Sequence, residues 1–391
     1  MKFTLLLLSL LFPAWADAKT PISDSNAAPV SYTQQQVPSL SAKAYVVYDY
    51  TSNHVLLEQN SHERIEPASL TKLMTAYITF SALKQNKLTI GQKLTPSPQA
   101  LRNQPADAQM YLSHKESVSV SDLLHGLIII SANDAARVLA EAIAGNEAVF
   151  TDLMNKEAQR LGMVDTHFAN STGLPNPLHY SSAYDLVLLT SAILKDFPEH
   201  FPLYSIRNFT YKQIKHYNRN RLLWMDPYVD GMKTGHTESA GYCLIATASR
   251  DNHRLISVVM GSATDTLRSI ESQRLLNYGY QNYEIFYLYK KNQAISKIRL
   301  WKGTENTVKV GLREGLIVSL PKGQRELLKA SVETEQPLLA PISDGQQIGI
   351  LKLTLDDKPY LEFPLMALEP VPLVNIFSRG IDSIRMIFST R

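Results

Sequence analysis

The feature that most constrains the fold is a change in the spacing of apolar residues along the chain. Between residues 44 and 59, β-branched and aromatic residues lie on both sides of the turn "TSNH", which predicts a β-hairpin. From Ser69 to about residue 85 the apolar residues recur at helical spacing, and helical patterns continue to residue 195. Strand patterns return after Tyr228. This order predicts an antiparallel sheet that is begun by the hairpin, interrupted by a helical insertion and completed by later strands.

Three strand patterns complete the predicted sheet. They read "VDGMKTGHT", "AGYCLIATAS" and "HRLISVVMGSA", and the turn "RDNH" joins the last two as in a hairpin. Within the insertion, helices are expected around 147–161 and 183–195, and a helix from Arg268 to about Tyr278 closes the unit. We therefore expect an α+β domain over residues 41–283.

Residues 284–370 have a different character. Short alternating runs such as "SKIRLW", "TVKVGL" and "QIGILKLTL" are separated by Gly, Pro, Asp and Lys turns. Short strands at this spacing predict a small β-sandwich as a second, β-rich domain.

The last segment, residues 372–391, is amphipathic. Three arginines against one aspartate make it cationic, and its apolar residues share one helical face: Leu373, Ile376, Phe377, Ile381, Ile384, Ile387 and Phe388. This pattern predicts a helix that lies in the interfacial plane of an anionic membrane. Docking of the helix on the protein's own surface is the alternative that the pattern leaves open.

The N-terminus has the pattern of a secretory signal peptide. One lysine precedes an apolar run from Phe3 to Phe12, and small residues follow with cleavage expected after Ala16 or Ala18. A membrane-spanning helix is the alternative, but the run is far shorter than the ~20 residues that a span requires. We expect an exported protein with residues 1–18 removed and a flexible lead-in over residues 19–40.

Composition excludes some classes of function. The 391 residues carry 39 basic and 36 acidic side chains and a formal charge of +3, which is not the clustered basic surface of a nucleic-acid-binding protein. The single cysteine, Cys243, excludes an intramolecular disulfide and is expected to be a small strand hydrophobe. No spacing of His, Asp or Glu suggests a metal, so no metal or other cofactor is expected.

The first motif that carries chemistry is Ser69-Leu70-Thr71-Lys72 at the start of a helical pattern. Residues three apart lie on one helical face, so the Lys72 amine can reach the Ser69 hydroxyl. A serine hydroxyl needs a base to become a nucleophile, and a lysine can serve if burial or nearby positive charge lowers its pKa. Taken alone, the tetrapeptide is weak evidence, because such a sequence is more often part of an ordinary solvated helix.

Two further motifs follow in the chain. Ser131-Ala132-Asn133 lies between two helical patterns, where Ser131 can relay a proton and Asn133 can bond a substrate amide. Its alternative is a helix start with Asn133 or the next residue as the N-cap. Lys233-Thr234-Gly235 lies in a strand pattern, where the cation and hydroxyl can hold a carboxylate and the glycine lets substrate approach. Its alternative is a surface turn.

The three motifs, in this order and context, form a known serine acyl-transfer set. Here the sequence resembles the low-molecular-mass penicillin-binding proteins, specifically the D-alanyl-D-alanine carboxypeptidases. The blocks "EPASLTKLMTAY", "SANDAARVLAE", "NSTGLPNPLHYSSAYDL", "NRNRLLW" and "DGMKTGHTESAGYCLIATA" carry the resemblance, which covers roughly residues 40–390. It implies a penicillin-binding, transpeptidase-like domain followed by a β-rich domain and a membrane-associating tail.

The resemblance also implies roles for individual residues. Ser69 matches the acylated nucleophile, Lys72 the general base and Ser131 the proton relay of the family. Asn133, Lys233, Thr234 and Gly235 match substrate-binding positions, and Lys233 grips the terminal carboxylate. The oxyanion hole would use the backbone N–H groups of Ser69 and His236. Arg219 and Arg268 match arginines near the cleft, with surface charge as their alternative.

The implied function is removal of the terminal D-alanine from peptidoglycan stem pentapeptides, with β-lactams as covalent inhibitors. The implied location is the periplasmic face of the cytoplasmic membrane, in cell-wall synthesis and the control of cell shape. Alternatives are endopeptidase action on cross-links, a β-lactamase, or a non-catalytic wall-binding protein of the same fold. The sequence departs from the family pattern at Arg221, where relatives often carry a small residue, and at Lys115-Glu116, where a glycine turn is common.

Overall fold

The computed structural model describes residues 2–4, 36–102 and 108–375, and divides the chain into two compact units. Of the described residues, 36–102 and 108–281 form one unit, and 2–4 and 282–375 form the other. The α-helices among the described residues are α1 (Lys72–Lys84), α2 (Val120–His125), α3 (Asn133–Ala144), α4 (Glu147–Arg160), α5 (Ala183–Asp196), α6 (Leu222–Met225) and α7 (Asp265–Asn282).

Seventeen strands are described. In chain order they are β1 (Lys2–Thr4), β2 (Ala44–Asp49), β3 (His54–Gln59), β4 (Lys93–Leu94), β5 (Val118–Ser119), β6 (Asn208–Tyr211), β7 (Ile214–Tyr217), β8 (Val229–Thr237), β9 (Gly241–Arg250), β10 (His253–Ser262), β11 (Tyr283–Tyr289), β12 (Ala294–Arg299), β13 (Thr307–Gly311), β14 (Leu316–Pro321), β15 (Leu328–Glu335), β16 (Gln347–Leu355) and β17 (Lys358–Ala367).

The first unit is built on a five-stranded antiparallel sheet with the order β3-β2-β10-β9-β8. The hairpin β2-β3 therefore pairs with β10, which arrives about 200 residues later, and β8 lies at the far edge. Helices α1 to α5 come from the insertion, and α5 packs against β2 and β10. The predicted interruption of one antiparallel sheet by helices is confirmed.

Helix α1 is buried on more sides than the apolar stripe in its sequence predicted. Every residue from Lys72 to Phe80 is buried, including Thr75 and Thr79 on the polar side. Helices α3, α4 and α5 all contact α1, so it has no solvated face along this stretch. The alternative of Lys72 as a surface lysine is therefore wrong.

Helix α7 is longer than the pattern predicted. It begins at Asp265 rather than at Arg268, because Thr264 Oγ1 accepts the Leu267 N–H at 3.1 Å and starts the first turn. It ends at Asn282, four residues beyond the predicted end.

The second unit is β-rich, as predicted. A six-stranded antiparallel sheet has the order β1-β15-β16-β17-β13-β12, and β11 pairs with β14 in a separate two-stranded sheet. Strands of both sheets supply one hydrophobic core, which includes Val308, Val318, Leu351 and Leu365. Of the predicted signal peptide, only residues 2–4 are described, and most of the predicted tail helix, residues 376–391, lies outside the described residues. No helix in the described part of the chain is long and apolar enough to cross a membrane.

Candidate active site

Ser69 lies in a 3₁₀ turn, Ala68–Thr71, that leads directly into α1. Two glycines pack against this turn. A Cβ on Gly235 would lie 2.9 Å from the Pro67 carbonyl oxygen and 3.2 Å from the Ser69 nitrogen. A Cβ on Gly173 would lie 1.8 Å from the Ala68 carbonyl oxygen, and Gly173 has a φ of +84° that favours glycine. The absence of a side chain at both positions therefore lets a strand and a loop approach the serine closely.

Lys72 reaches Ser69 as the spacing predicted. Its Nζ lies 2.9 Å from Ser69 Oγ and 2.6 Å from the carbonyl oxygen of Thr172, and the side chain is 1% exposed. Burial disfavours a charged amine, so this position suits a lysine that accepts a proton. These two oxygens together hold the amine beside the serine hydroxyl.

The carbonyl that holds Lys72 belongs to a loop organised by Asn170. Asn170 Oδ1 accepts the backbone N–H groups of Thr172 at 3.1 Å and Gly173 at 2.7 Å, as well as the Thr172 hydroxyl at 2.9 Å. Asn170 lies in the block "NSTGLPNPLHYSSAYDL", in which the sequence alone predicted no role for an individual residue. The asparagine and glycine of "NSTG" are the signal that could have indicated a tight turn here.

His179, from the same block, joins that loop to the 3₁₀ turn that carries Ser69. Its Nδ1 accepts the Ala169 N–H at 3.0 Å, so its Nε2 carries the proton and donates to Thr71 Oγ1 at 2.7 Å. Burial, with the positive charges of His167 and Lys72, lowers the pKa of His179 to about 4. The ring is therefore neutral at pH 7 and acts as a fixed hydrogen-bonding bridge.

A second lysine–serine pair lies beside the first. Lys233, on β8, donates from Nζ to Ser131 Oγ at 2.9 Å and to the Thr234 carbonyl oxygen at 2.8 Å, and is 2% exposed. Burial lowers the pKa of Lys233 well below its ordinary value, and the charges of Lys72, Arg219 and Arg268 lower it further. Two buried amines thus lie close enough to repel each other.

The second motif lies where sequence placed it, between two helices. A π-helical turn, Gly126–Ile130, follows α2 and ends at Ser131, which has a left-handed φ of 67°. Strained backbone of this kind is concentrated at functional sites. Asn133 is the first residue of α3, the N-cap is Ala132, and so the predicted capping role for Asn133 or Asp134 is wrong. The Asp134 carboxylate instead accepts the N–H groups of Met110 and Leu112.

The motifs surround a cleft of about 730 Å³. Its lining includes Ser69, Asn133, Thr234, Gly235 and His236. Lys72, Ser131 and Lys233 lie behind this lining and reach it through the hydrogen bonds already described. The structure thus brings all three motifs to one site.

The two predicted arginines lie at the same cleft, in different settings. Arg219 and Arg268 both contribute to its lining. Arg268 is 5% exposed and donates from Nη1 to the Gly235 carbonyl oxygen at 3.0 Å, so it braces β8. His236 is exposed and stacks on Tyr242 with 4.0 Å between ring centroids. Cys243 is fully buried on β9 beneath them, as expected for a strand hydrophobe.

This arrangement can activate a serine for attack on a carbonyl. The Ser69 hydroxyl has the Lys72 amine within hydrogen-bond distance, and the second amine–hydroxyl pair, Lys233 and Ser131, lies near the same cleft. Residues 2–4, 36–102 and 108–375 contain no cluster of three His, Cys, Asp or Glu side chains that could hold a metal ion. The fold and site together define a serine-type acyl-transfer enzyme.

Comparison with known proteins identifies the family. A family model described as D-alanyl-D-alanine carboxypeptidase matches residues 31–264, and one for the C-terminal domain of penicillin-binding protein 5 matches residues 283–373. The D-alanyl-D-alanine carboxypeptidase DacA of Haemophilus influenzae is 41% identical over 346 residues, covering 88% of each chain. The chain belongs to the D-alanyl-D-alanine carboxypeptidase family.

Solved structures agree with this assignment. Penicillin-binding protein 5 from Haemophilus influenzae matches with a TM-score of 0.83 at 41% identity, over 86% of this chain and 99% of that one. Penicillin-binding protein D2 from Listeria monocytogenes, in its ampicillin-bound form, matches with a TM-score of 0.58 at 34% identity, over 63% and 100%. The predictions of the fold and of a serine-type D-Ala-D-Ala carboxypeptidase are confirmed, and the alternatives are not favoured.

Proposed function

We propose that Ser69 is the nucleophile and Lys72 its general base in the removal of terminal D-alanine from peptidoglycan stem pentapeptides. The observation that carries this proposal is the 2.9 Å contact between Lys72 Nζ and Ser69 Oγ inside a buried pocket. Lys72 is almost completely buried and lies near Lys233, and burial and a neighbouring amine both disfavour the charged form of a lysine.

The first half-reaction forms an acyl-enzyme. Ser69 Oγ attacks the carbonyl carbon of the penultimate D-alanine, and its proton passes to Lys72. The peptide bond then breaks, and Ser131 relays the proton from Lys72 to the departing nitrogen. In the second half-reaction water attacks the ester, its proton goes to Lys72, and Ser69 Oγ recovers a proton as the shortened peptide leaves.

Binding groups on β8 and α3 orient the substrate. Lys233 and Thr234 hold the terminal carboxylate, with Arg219 and Arg268 adding positive potential at that end of the cleft. Asn133 bonds a backbone amide of the peptide, and Gly235 lets the peptide lie against β8. The N–H groups of Ser69 and His236 receive the oxyanion, and each such donor typically lowers the barrier by ~3 kcal/mol.

The same geometry supports acylation by β-lactams. A β-lactam presents a strained amide and a carboxylate with the spacing of a D-Ala-D-Ala terminus, so Ser69 would open the ring and remain acylated. The ampicillin-bound form of the Listeria monocytogenes protein supports this proposal by similarity.

The remaining parts of the chain have proposed roles of their own. Residues 1–18 serve as the signal peptide, residues 19–40 as the lead-in, and residues 41–283 and 284–370 as the two domains. Residues 372–391 attach the exported enzyme to the periplasmic face of the cytoplasmic membrane. Deleting residues 372–391 is expected to move the protein from the membrane fraction to the soluble fraction, and unchanged sedimentation would contradict the attachment.

The reaction is tested by release of free D-alanine from a diacylated peptide that ends in D-Ala-D-Ala. The native protein should release D-alanine and become labelled by penicillin, with the label on the peptide that contains Ser69 by mass spectrometry. The Ser69→Ala variant should do neither while keeping its thermal unfolding midpoint. Penicillin hydrolysis without D-alanine release would indicate a β-lactamase instead.

A further inference from the structure

Glu66 lies three residues before Ser69 and bonds to the end of β8. Its Oε2 accepts the hydroxyl of Thr237 at 3.2 Å and also the hydroxyl of Ser239. Thr237 is the last residue of β8, and Ser239 lies in the turn that leads to β9. One carboxylate oxygen therefore joins the segment before Ser69 to a strand end that follows 171 residues later in the chain.

The backbone on both sides of Glu66 is fixed. Ile65 exchanges two backbone hydrogen bonds with Ser181, at 2.8 and 2.9 Å. On the other side, Pro67 has a φ that its ring restricts, and its carbonyl oxygen accepts the Leu70 N–H at 3.1 Å in the 3₁₀ turn. The half-buried Glu66 side chain is therefore an anchored point against which the end of β8 is held.

The hydroxyl of Thr237 uses both of its hydrogen-bonding functions. It donates to Glu66 and accepts the Ala240 N–H at 3.0 Å. Among the residues that the structure describes, Glu66 has the only side chain outside β8, β9 and their connecting turn that bonds Thr237 or Ser239. Glu66 therefore supplies the side-chain hydrogen bonds that tie this turn to the segment that carries Ser69.

This tie lies next to the two backbone groups that the proposed function assigns to the oxyanion. Ser69 follows Glu66 by three residues, and His236 immediately precedes Thr237. At Gly235 the strand already contacts the 3₁₀ turn, since a Cβ there would lie 3.2 Å from the Ser69 nitrogen. Oxyanion donors act at about 2.7–3.1 Å from the oxygen that they stabilise, so a small shift of the strand end beyond Gly235 would weaken the His236 donor.

We propose that Glu66 is a positioning residue that fixes the separation of the two oxyanion donors, the backbone N–H groups of Ser69 and His236. The inference rests on the proposed function, which assigns these groups to the oxyanion. Glu66 is absent from the cleft lining, so it acts through Thr237 and Ser239 rather than on the substrate. Its loss therefore weakens stabilisation of the tetrahedral state and leaves binding of the unreacted substrate unchanged.

The test uses three substitutions. Glu66→Ala removes the accepting oxygen. Glu66→Gln keeps an oxygen there, and because both hydroxyls bond to one oxygen in the native protein, a single amide oxygen can accept both. Ser239→Ala removes one of the two donors at a residue that is absent from the cleft lining. The three variants thus separate the hydrogen bonds of Glu66 from its charge.

Three quantities are measured for each protein. The first two are the rate constant of Ser69 acylation at saturating penicillin and the penicillin concentration that gives half of that rate. The third is the inhibition constant of a peptide boronic acid, because Ser69 Oγ adds to its boron and the tetrahedral adduct places an oxygen where the oxyanion would lie. The second quantity reports binding before reaction, and the other two report the tetrahedral state.

Glu66→Ala should be acylated about ten-fold more slowly and bind the boronic acid about ten-fold more weakly, as expected for the loss of hydrogen bonds to a charged group. Its half-saturating penicillin concentration should stay within about two-fold of the native value. Glu66→Gln should stay within about three-fold of the native protein in every quantity. Ser239→Ala should slow acylation about three-fold and add nothing in the Glu66→Ala background, because the bond that it removes is already lost.

Glu63→Ala is the matched control, since Glu63 is an exposed carboxylate of the same segment and is absent from the cleft lining. It should match the native protein in all three quantities. Native acylation by a folded Glu66→Ala protein overturns the inference, and so does a Glu66→Gln protein that is as slow as Glu66→Ala. A loss confined to the half-saturating concentration also overturns it. Where Glu66→Ala does not fold, unchanged acylation of Ser239→Ala overturns it.

Failure of the proposed function gives a different result. A native protein that neither releases D-alanine nor is labelled by penicillin contradicts the proposed function, and the inference fails with it. A native protein that does both, together with an unaffected Glu66→Ala variant, contradicts the inference alone.

Discussion

The first unit contains two buried lysines, whereas no lysine among residues 282–375 of the β-rich unit is buried. In the first unit Lys72 and Lys233 are almost completely buried and contact hydroxyl and carbonyl oxygens. In the β-rich unit, the lysines with ion-pair partners lie at the surface, as in the pair of Lys291 with Glu314, whose side chains are 63% and 80% exposed. The buried amines thus lie beside serine hydroxyl groups, whereas the paired lysines of the β-rich unit are solvated charges.

The burial of two lysine amines in the first unit is energetically unfavourable. Burying an amine away from a carboxylate is unfavourable and makes its neutral form more accessible. The only buried polar side chains described from residue 282 onward are Asn282 and Ser319, so the β-rich unit has a conventional apolar core. The unfavourable burial therefore occurs at Lys72 and Lys233, beside the serines of the candidate site, where a neutral amine is useful for the proposed reaction.

The largest expected effect comes from removing the base. Lys72→Met keeps the length and apolar stem but eliminates the amine beside Ser69, and kcat/KM for D-alanine release should fall by about 10⁴-fold. Lys309→Met, which removes a surface lysine of the β-rich unit, should leave kcat/KM unchanged. A Lys72→Met enzyme with near-native turnover would show that the buried lysine is not the base.

The next effect is on the pH dependence of stability. Because the folded-state pKa of Lys233 is lowered, the unfolded chain binds more protons between that pKa and about 10.5. The contribution of Lys233 to the free energy of unfolding therefore rises with pH across this window. Lys233 destabilises the folded protein most at pH values below its folded-state pKa. The free energy of unfolding of Lys233→Met should exceed that of the native protein by the largest amount at neutral pH. The difference should be smallest near pH 10.5.

The measurement is urea unfolding of both proteins from pH 6 to pH 10, compared as a difference so that other titrating groups cancel. Lys309→Met is the matched control and should give a flat difference. A flat difference for Lys233→Met as well would mean that burial does not perturb Lys233.

The smallest effect is expected at the surface pair. Lys291→Met should change the free energy of unfolding by about 0.5 kcal/mol or less, because exposed ion pairs contribute little. Its thermal unfolding and D-alanine release should both match the native protein. A loss of several degrees in the unfolding midpoint would remove the distinction between the two regions.

Local patterns predicted much of this molecule. The hairpin, the three later strands and the starts of α4 and α5 follow from periodicity, and the spacing of Ser69 and Lys72 predicted their contact. What sequence did not predict depends on distant partners. The burial of α1 on all sides, the Thr172 carbonyl that holds Lys72 and the bridge from His179 to Thr71 join segments about 100 residues apart. Local spacing does not report which segments meet across the fold.

The contact between Lys72 and the Thr172 carbonyl has a consequence for when the enzyme becomes reactive. The serine and its lysine are neighbours in any helical turn, but the second oxygen that aims the amine arrives only when the loop 170–174 closes over the turn. Gly173 then touches Ala68 with no side chain between them. Under the proposed mechanism, a newly made chain would carry an unactivated Ser69 hydroxyl until its tertiary structure is complete, and folding itself would be the activation step.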